Sequence, residues 1–220
     1  MAISPAISSK SAVSMGHKNS KDLQMRQRLA QAAAQILAES GSRDFYAAKR
    51  KAALHLGAVD TRNMPSNTEI DQALREYQRL FRADAQPAAL QQLRNRALQA
   101  MEFFADYRPK LVGSVLDGSA DEHSPVVLHV FVPRLEDLDI FLMEHQIPYE
   151  QGERKVRFSP EQSVTLPVLR FYAQDTRIEL VVFIQDGPLQ PPLSPVDGRP
   201  MQRASLNRVR ELVNGDTMEN

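Results

Sequence analysis

The 220-residue chain has no cysteine and no tryptophan. The lack of cysteine excludes disulfides, thiolate metal sites, iron–sulfur clusters and a cysteine nucleophile. No apolar run approaches the roughly 20 residues that a membrane-spanning helix needs. The N-terminus also lacks the charged and apolar regions of a secretory signal. We therefore expect a cytoplasmic protein that does not enter a membrane.

Basic and acidic residues are equal in number but unevenly distributed. Lys and Arg number 27, as do Asp and Glu. Residues 1–110 hold 17 basic and 10 acidic residues, and residues 111–220 hold 10 basic and 17 acidic ones. A basic half favours contact with phosphate groups. The alternative is that the two halves attract each other, or that the charges form solvated faces.

Apolar residues recur at helical spacing throughout the first half of the chain. Residues 1–20 are Ser-rich and small, which predicts a disordered tail. The pattern predicts helices from Asp22 to Ala38 with a stop at Ser40-Gly41, from about 43 to Gly57, from about 67 to 81, and from Pro87 to just before Pro109. Asn67 or Thr68 is expected to cap the third helix. The predicted buried side chains of that helix are Ile70, Leu74, Tyr77, Leu80 and Phe81.

The second half of the chain changes to the pattern of β-strands. Strands are predicted at 126–132, 154–158, 165–173 and 177–184, with helices over 133–145 and 203–213. A helical half followed by a sheet with one crossover helix is an α+β arrangement. The predicted organisation is a tail (1–20), a helical domain (21–108), a small mixed-sheet domain (109–185), and a proline-rich loop with a C-terminal helix (186–220).

One segment carries a family resemblance: residues 108–132 read RPKLVGSVLDGSADEHSPVVLHVFV. It resembles the opening of the minimal nucleotidyltransferase domain of the DNA polymerase beta-like superfamily. In that family a short strand ends in Gly-Ser, a turn with a second Gly follows, and a Ser precedes an Asp-x-Asp strand. The resemblance covers about residues 108–184. It implies a mixed-sheet domain that binds a nucleoside triphosphate, here through Gly113, Ser114, Gly118, Ser119 and Ser124, with Arg108 and Lys110 beside the first turn.

The chain departs from the family at the metal-binding acids. Nucleotidyl transfer uses two divalent ions, and two Asp separated by one strand residue point to the same face and can both reach them. The matching positions hold Pro125 and Val127, which cannot ligate a metal. No metal ligand is therefore assigned, and Mg²⁺ is expected only if the protein is active.

Two other residues are the candidate catalytic groups. Glu179 lies in mid-strand and matches the third acid of the family, and His129 shares a strand face with Val127. The alternative for Glu179 is a solvated face on which it pairs with Arg170 or Arg177. The alternative for His129 is a hydrogen-bonded histidine in the core or on the surface.

A second acidic pair imitates the family motif. Asp137-Leu138-Asp139 spells the carboxylate strand, but residues 115–136, which contain a strand of their own, separate it from Ser114. Pro133 and the acidic first turn favour a helix, in which Asp137 and Asp139 diverge by roughly 200°. In a strand these two residues would be metal ligands.

Two further basic groups are candidates for nucleic-acid or partner contact. Lys49, Arg50 and Lys51 spread over a broad face of the second helix, which alternatively is only solvated. In the proline-rich loop, Arg199 and Arg203 either face a ligand or belong to a segment that covers the sheet edge.

Three functions are compatible with these patterns. The first is a nucleotidyltransferase-like protein that is catalytically degenerate and binds a nucleotide or RNA. The second is an active, metal-dependent transferase with displaced acids, either Asp137 with Asp139 or Glu179 with Asp121 and Glu122. The third is an adaptor that binds another protein. His/Cys metal clusters, a G-x-S-x-G motif and a P-loop are absent from the sequence.

Overall fold

The computed structural model describes residues 10–41, 43–58, 64–81, 86–184 and 189–218. Its first half is helical, with α1 (Lys10–Ser40), α2 (Phe45–His55), α3 (Asn67–Phe81) and α4 (Gln86–Phe103). The second half contains β1 (Lys110–Val112), the single-turn α5 (Ser114–Asp117), β2 (Val126–Val132), α6 (Leu135–Glu144), β3 (Glu150–Arg157), β4 (Ser163–Ala173), β5 (Thr176–Ile184) and α7 (Leu206–Met218). The predicted α+β class with N-terminal helices is confirmed.

The N-terminal boundary of the first helix differs from the prediction. Helix α1 begins at Lys10, so the second part of the predicted tail is helical, whereas residues 1–9 lie outside the described residues. The predicted end is correct, since α1 stops at Ser40 and Gly41 follows with a positive φ of 61°. A glycine adopts this left-handed conformation without the penalty that a Cβ brings.

Helix α3 has the predicted bounds, but its cap and part of its buried stripe differ from the prediction. Its cap is Ser66, whose hydroxyl accepts from the Glu69 backbone N–H while the Glu69 carboxylate accepts from the Ser66 backbone N–H. This reciprocal pair is a capping box. At the other end Leu80 and Phe81 are exposed, not buried. The buried stripe runs through Ile70, Leu74 and Gln78 at spacings of four residues, which turns Leu80 and Phe81 outward.

The three N-terminal helices share a core of their own. Its larger members are Leu29, Leu37, Phe45, Ile70 and Leu74, and the rest are mostly alanines of α1 and α2. Alanines at a helix contact let the backbones approach closely, and each fully buried Leu or Ile contributes about 1.5–3 kcal/mol to stability. Helices α1, α2 and α3 therefore form one packed unit.

The five strands form one mixed sheet in the order β1-β2-β5-β4-β3. Strands β2 and β5 are parallel, and every other neighbouring pair is antiparallel. One face packs on α4, α6 and α7 through alternate β2 residues such as Val126, Leu128 and Val130. We call the opposite face the outer face; it carries Val127, His129 and Phe131 of β2, Glu179, Val181 and Phe183 of β5, Val168 and Arg170 of β4, and Arg154 of β3.

The proline-rich segment covers the sheet edges, as one of the two sequence alternatives proposed. Ala204 exchanges two backbone hydrogen bonds with Leu111 of the edge strand β1, at 2.9 and 3.0 Å. At the other edge the Leu193 N–H donates to the Arg157 carbonyl. The side chains of Asn67 and Thr68 donate hydrogen bonds to the carbonyls of residues 195 and 196, which attaches the segment to α3.

Among the described helices, none combines the length and the apolar character needed to span a bilayer.

Candidate functional site

Glu179 lies at the centre of the outer face. It stands in register with Val127 on one side and with Arg170 on the other, and it is only 2% exposed. Its carboxylate accepts hydrogen bonds from Arg154 and Arg177, and the Arg170 Nε lies 3.6 Å away. A buried carboxylate needs such partners. One negative charge faces three positive ones, so the cluster has a surplus of positive charge.

The three arginines of this cluster are accessible from solvent. Their side chains are 37%, 25% and 46% exposed for Arg154, Arg170 and Arg177. Arg170 takes its position because Gly152 has no side chain, since a Cβ there would lie 2.1 Å from the Arg170 Nη1. A glycine in mid-strand therefore creates the space in which this guanidinium reaches Glu179.

His129 lies on the same face but its ring is engaged. His129 is 2% exposed, its ring centroid lies 4.8 Å from that of Phe183, and its Nδ1 accepts a 3.0 Å hydrogen bond from the Arg203 Nε. Burial, together with the charges of Arg203 and Arg154, lowers the pKa of His129 to about 3. The ring is thus neutral at pH 7, but its low pKa makes it a weak base and its Nδ1 is already bonded to Arg203, which supports the structural alternative for this residue over general-base catalysis.

Arg203 links the C-terminal segment to the outer face. Its guanidinium stacks over the rings of Phe131 and Phe183, 5.0 and 4.7 Å from their centroids. It also donates to the carbonyls of Leu189 and Gln190, at 2.6 and 3.3 Å. Burial lowers the pKa of Arg203 to about 10, so the side chain still carries its charge at pH 7.

The buried neutral histidine predicts a pH dependence of stability. The pKa of His129 falls from 6.5 to about 3 on folding, so the unfolded chain binds more protons between these values and the free energy of unfolding falls as the pH falls through this window. We expect wild type to lose about 2 kcal/mol more than His129→Gln between pH 7 and pH 5. Urea denaturation of both proteins at the two pH values measures the difference. An equal loss of unfolding free energy in the two proteins would show that His129 is not a buried, neutral histidine.

The remaining charges of the outer face are mostly basic. Lys110 stands in register with His129, and the Arg108 guanidinium lies 5.8 Å from the centroid of the Phe131 ring. Glu150, in register with Arg170, is exposed. In the described part of the chain, the basic side chains on or beside this face are Arg108, Lys110, Arg154, Arg170, Arg177 and Arg203, against two carboxylates, Glu150 and Glu179.

The predicted Gly113-Ser114 turn borders this face. It follows β1 directly, and Val112 at the end of β1 is paired with Val127, the neighbour of Glu179. Two strand spacings, about 10 Å, therefore separate the end of β1 from Glu179. Gly113 has a φ of 75° and open space where a Cβ would be. The turn thus remains a candidate for phosphate contact beside the arginine cluster.

The other predicted nucleotide-binding residues are used to attach the α5–β2 loop. The Ser119 hydroxyl accepts from Arg43 at 2.7 Å, and the Ser124 hydroxyl donates to Asp121 at 3.0 Å. The Gly118 carbonyl accepts from the side chain of Gln86. Gly118, Ser119 and Ser124 are therefore not brought together with Glu179, because their polar groups bind the helical part of the chain or their own loop.

The displaced acids also lie apart from Glu179. The prediction of a helix at Asp137 is confirmed: α6 buries Leu138 and Leu142 on the core side of the sheet, opposite the outer face. Asp137 accepts from the Arg134 backbone N–H, and Asp139 accepts from the Tyr149 hydroxyl at 2.8 Å. Asp121 accepts hydrogen bonds from the His123 backbone N–H and the Ser124 hydroxyl in its own loop, and from the Gln78 side chain of α3. The Glu122 Oε1 lies 3.5 Å from the His123 Nε2.

The residues to which the family resemblance would assign metal binding do not fit a pair of divalent ions. Pro125 and Val127 offer no side-chain oxygen, and the Glu179 carboxylate is already bound by arginines. Hard divalent ions need several oxygen ligands. Within the described ranges, no group of three or more His, Asp or Glu side chains that could hold a metal ion was found.

The remaining basic candidates lie elsewhere. Lys49 is half-buried beside Arg26 and Glu69, and burial lowers its pKa. The Arg50 guanidinium lies 5.8 Å from the Tyr46 ring centroid, and Lys51 is exposed. Arg199 is 86% exposed beside Asp197. Among the contacts of the described residues, none connects Lys49, Arg50, Lys51 or Arg199 to the outer face, whereas Arg203 does reach it.

Sequence reasoning missed the main feature of the site, the convergence of three arginines. It identified Arg170 and Arg177 as partners of Glu179 but not Arg154, which comes from the far strand β3. One sequence signal could have indicated this convergence. Arg177 lies two residues from Glu179, and Arg154 lies two residues from Gly152, so each pair shares a strand face.

Comparison of the chain with protein-family models, with curated proteins and with solved structures found no match.

Proposed function

We propose that this chain is a nucleotidyltransferase-like protein that binds the phosphates of a nucleotide or of RNA on its outer face and has lost two-metal catalysis. The observation that carries the proposal is the surplus of positive charge around Glu179. Guanidinium groups bind phosphate oxygens with paired, charge-assisted hydrogen bonds. A cationic sheet face beside a Gly-Ser turn is suited to a phosphorylated ligand.

The register of the strands supports this proposal. Glu179 stands beside Val127, and Val127 stands beside the residue that precedes the Gly113-Ser114 turn. In the resembled family, the third acid, the second Asp and the Gly-Ser turn belong to one site. The corresponding positions are adjacent here, but Pro125 and Val127 stand in place of the two Asp, and the third acid, Glu179, is engaged with arginines. The site thus keeps phosphate-binding groups while lacking the metal ligands.

Thermal denaturation with the four ribonucleoside triphosphates, each with and without Mg²⁺ or Mn²⁺, tests the function. A ligand at 100 times its Kd stabilises the folded state by about 2.7 kcal/mol, which raises Tm by a few degrees. We expect a shift with at least one nucleotide that does not require a metal. A shift that appears only with a metal would favour the active transferase.

Binding to single-stranded RNA at several salt concentrations completes this test. Phosphate contacts make the affinity fall steeply with salt, and the loss of one contact to a single strand lowers the steepness of log K against log salt by about 0.7. Arg177→Gln is the variant for this comparison, and Lys155→Gln, which removes an exposed charge from β3 on the other face, is its control. If neither a nucleotide nor RNA binds, the proposed function is wrong.

A further inference from the structure

We infer that the arginines around Glu179 take the place of the family's divalent ions, so that the site binds a compact oligophosphate in its metal-free form. This inference rests on the proposed function and extends it to the ligand's chemical state. The two ions of a transferase neutralise phosphate charge next to the catalytic carboxylates. Here the only carboxylate among those positions, Glu179, already holds three guanidiniums.

The guanidiniums have donors left for a ligand. The bonds to Glu179 use Nη2 of Arg154 and Nη2 of Arg177, and each guanidinium carries five N–H donors. All three side chains are at least 25% exposed, whereas the Glu179 side chain is 3% exposed. Glu179 therefore acts as a positioning residue that directs the guanidiniums, and their outer nitrogens remain accessible to an anion.

The arrangement fits an oligophosphate better than an extended RNA backbone. The three guanidiniums come from strands β3, β4 and β5 but converge on one carboxylate, so their charges are concentrated in one small region. The phosphoryl groups of a di- or triphosphate share bridging oxygens and carry their charges equally close together. The phosphates of RNA are separated by sugars and carry one charge each. Concentrated positive charge favours the compact, highly charged anion.

Magnesium is expected to weaken this binding. In a Mg²⁺ complex the metal neutralises two charges of the oligophosphate and occupies oxygens that the guanidiniums would bind. A site built from carboxylates requires the metal, whereas a site built from arginines competes with it. The sign of the Mg²⁺ effect therefore distinguishes the two kinds of site.

Titration calorimetry of the full chain with sodium tripolyphosphate, in EDTA and in excess MgCl₂ at equal ionic strength, measures this effect. We expect binding in EDTA and an affinity about tenfold weaker with Mg²⁺. Arg154→Gln and Arg177→Gln should each weaken binding in EDTA by about tenfold or more. Lys155→Gln, on the same strand as Arg154 but on the other face, should leave it unchanged.

Two more variants separate binding from folding. Gly152→Ala places a methyl group where the Arg170 guanidinium lies, so it should weaken tripolyphosphate binding with little change in Tm. Arg177→Lys keeps the charge but loses the paired donors, and it should bind more weakly than wild type. Unchanged affinity in all the arginine variants and in Gly152→Ala would overturn the inference.

The outcomes also separate this inference from the proposed function. Binding of nucleotides or tripolyphosphate only in the presence of Mg²⁺ would overturn the inference while phosphate binding stands. If RNA binds but tripolyphosphate does not, the inference is wrong, while the proposed binding of RNA stands. If neither the nucleotides, nor tripolyphosphate, nor RNA binds, both the inference and the proposed function are wrong.

Discussion

Glu179→Gln is expected to lower the free energy of unfolding by about 3 kcal/mol. Glu179 is 2% exposed, and its carboxylate joins Arg154 of β3 and Arg177 of β5. Without its charge, three guanidiniums face one another with no anion between them and repel. Urea denaturation followed by circular dichroism measures the loss. Tripolyphosphate should recover part of it, because the anion supplies the missing negative charge.

Glu153→Gln is the matched control for this substitution. Glu153 lies on β3 beside Arg154, points to the other face and is exposed, so its loss should change stability by at most about 0.5 kcal/mol. The double variant Glu179→Gln/Arg154→Gln should cost less than the sum of the two single variants, because the second change removes part of the repulsion. A Glu179→Gln cost no larger than that of Glu153→Gln would contradict the buried cluster.

Gly41→Ala is expected to destabilise the chain by about 3 kcal/mol, through two separate effects. Gly41 has a φ of 61°, which penalises any residue with a Cβ. The new Cβ would also lie 2.0 Å from the backbone carbonyl oxygen of His123. That oxygen belongs to the loop before β2 and cannot rotate away like a side-chain tip. The end of α1 would have to separate from this loop, and thermal or urea denaturation measures the cost.

Gly57→Ala isolates the first of these effects. Gly57 has nearly the same φ, 62°, and nothing lies within 4 Å of the position of its Cβ. Its substitution should therefore cost only the backbone strain, about 1 kcal/mol. The excess cost of Gly41→Ala over Gly57→Ala then reports the close approach of α1 to the His123 loop. Equal costs would show that this approach is absent in solution.

Local patterns predicted most of the secondary structure. Ser40-Gly41 marked the end of α1 because glycine follows a helix with a positive φ. Asp137 and Asp139 were correctly predicted to lie on a helix, because Pro133 and the acidic first turn favour a helix start. Strand β2 was predicted with its observed bounds from its β-branched residues. These features depend on neighbours within a few residues along the chain.

The site residues were predicted less completely, because their roles depend on distant partners. Ser119 matched a phosphate-binding turn in sequence, yet its hydroxyl binds Arg43, 76 residues earlier. Leu80 and Phe81 had the apolar character of a buried stripe, but Gln78 takes the buried position and binds the Ser119 carbonyl. Nothing in the local pattern of either segment shows which other segment will pack against it.

The sequence by itself determined the α+β class, most helix and strand positions, and the absence of carboxylates at Pro125 and Val127. Only the tertiary structure decided that Glu179 is buried beneath arginines. That outcome depends on the sheet order β5-β4-β3, which brings Arg154, 25 residues away, to the same carboxylate. Alternation along a strand tells which residues share a face, but pairing between strands decides which charges meet, and the burial that follows sets the strength of their interaction.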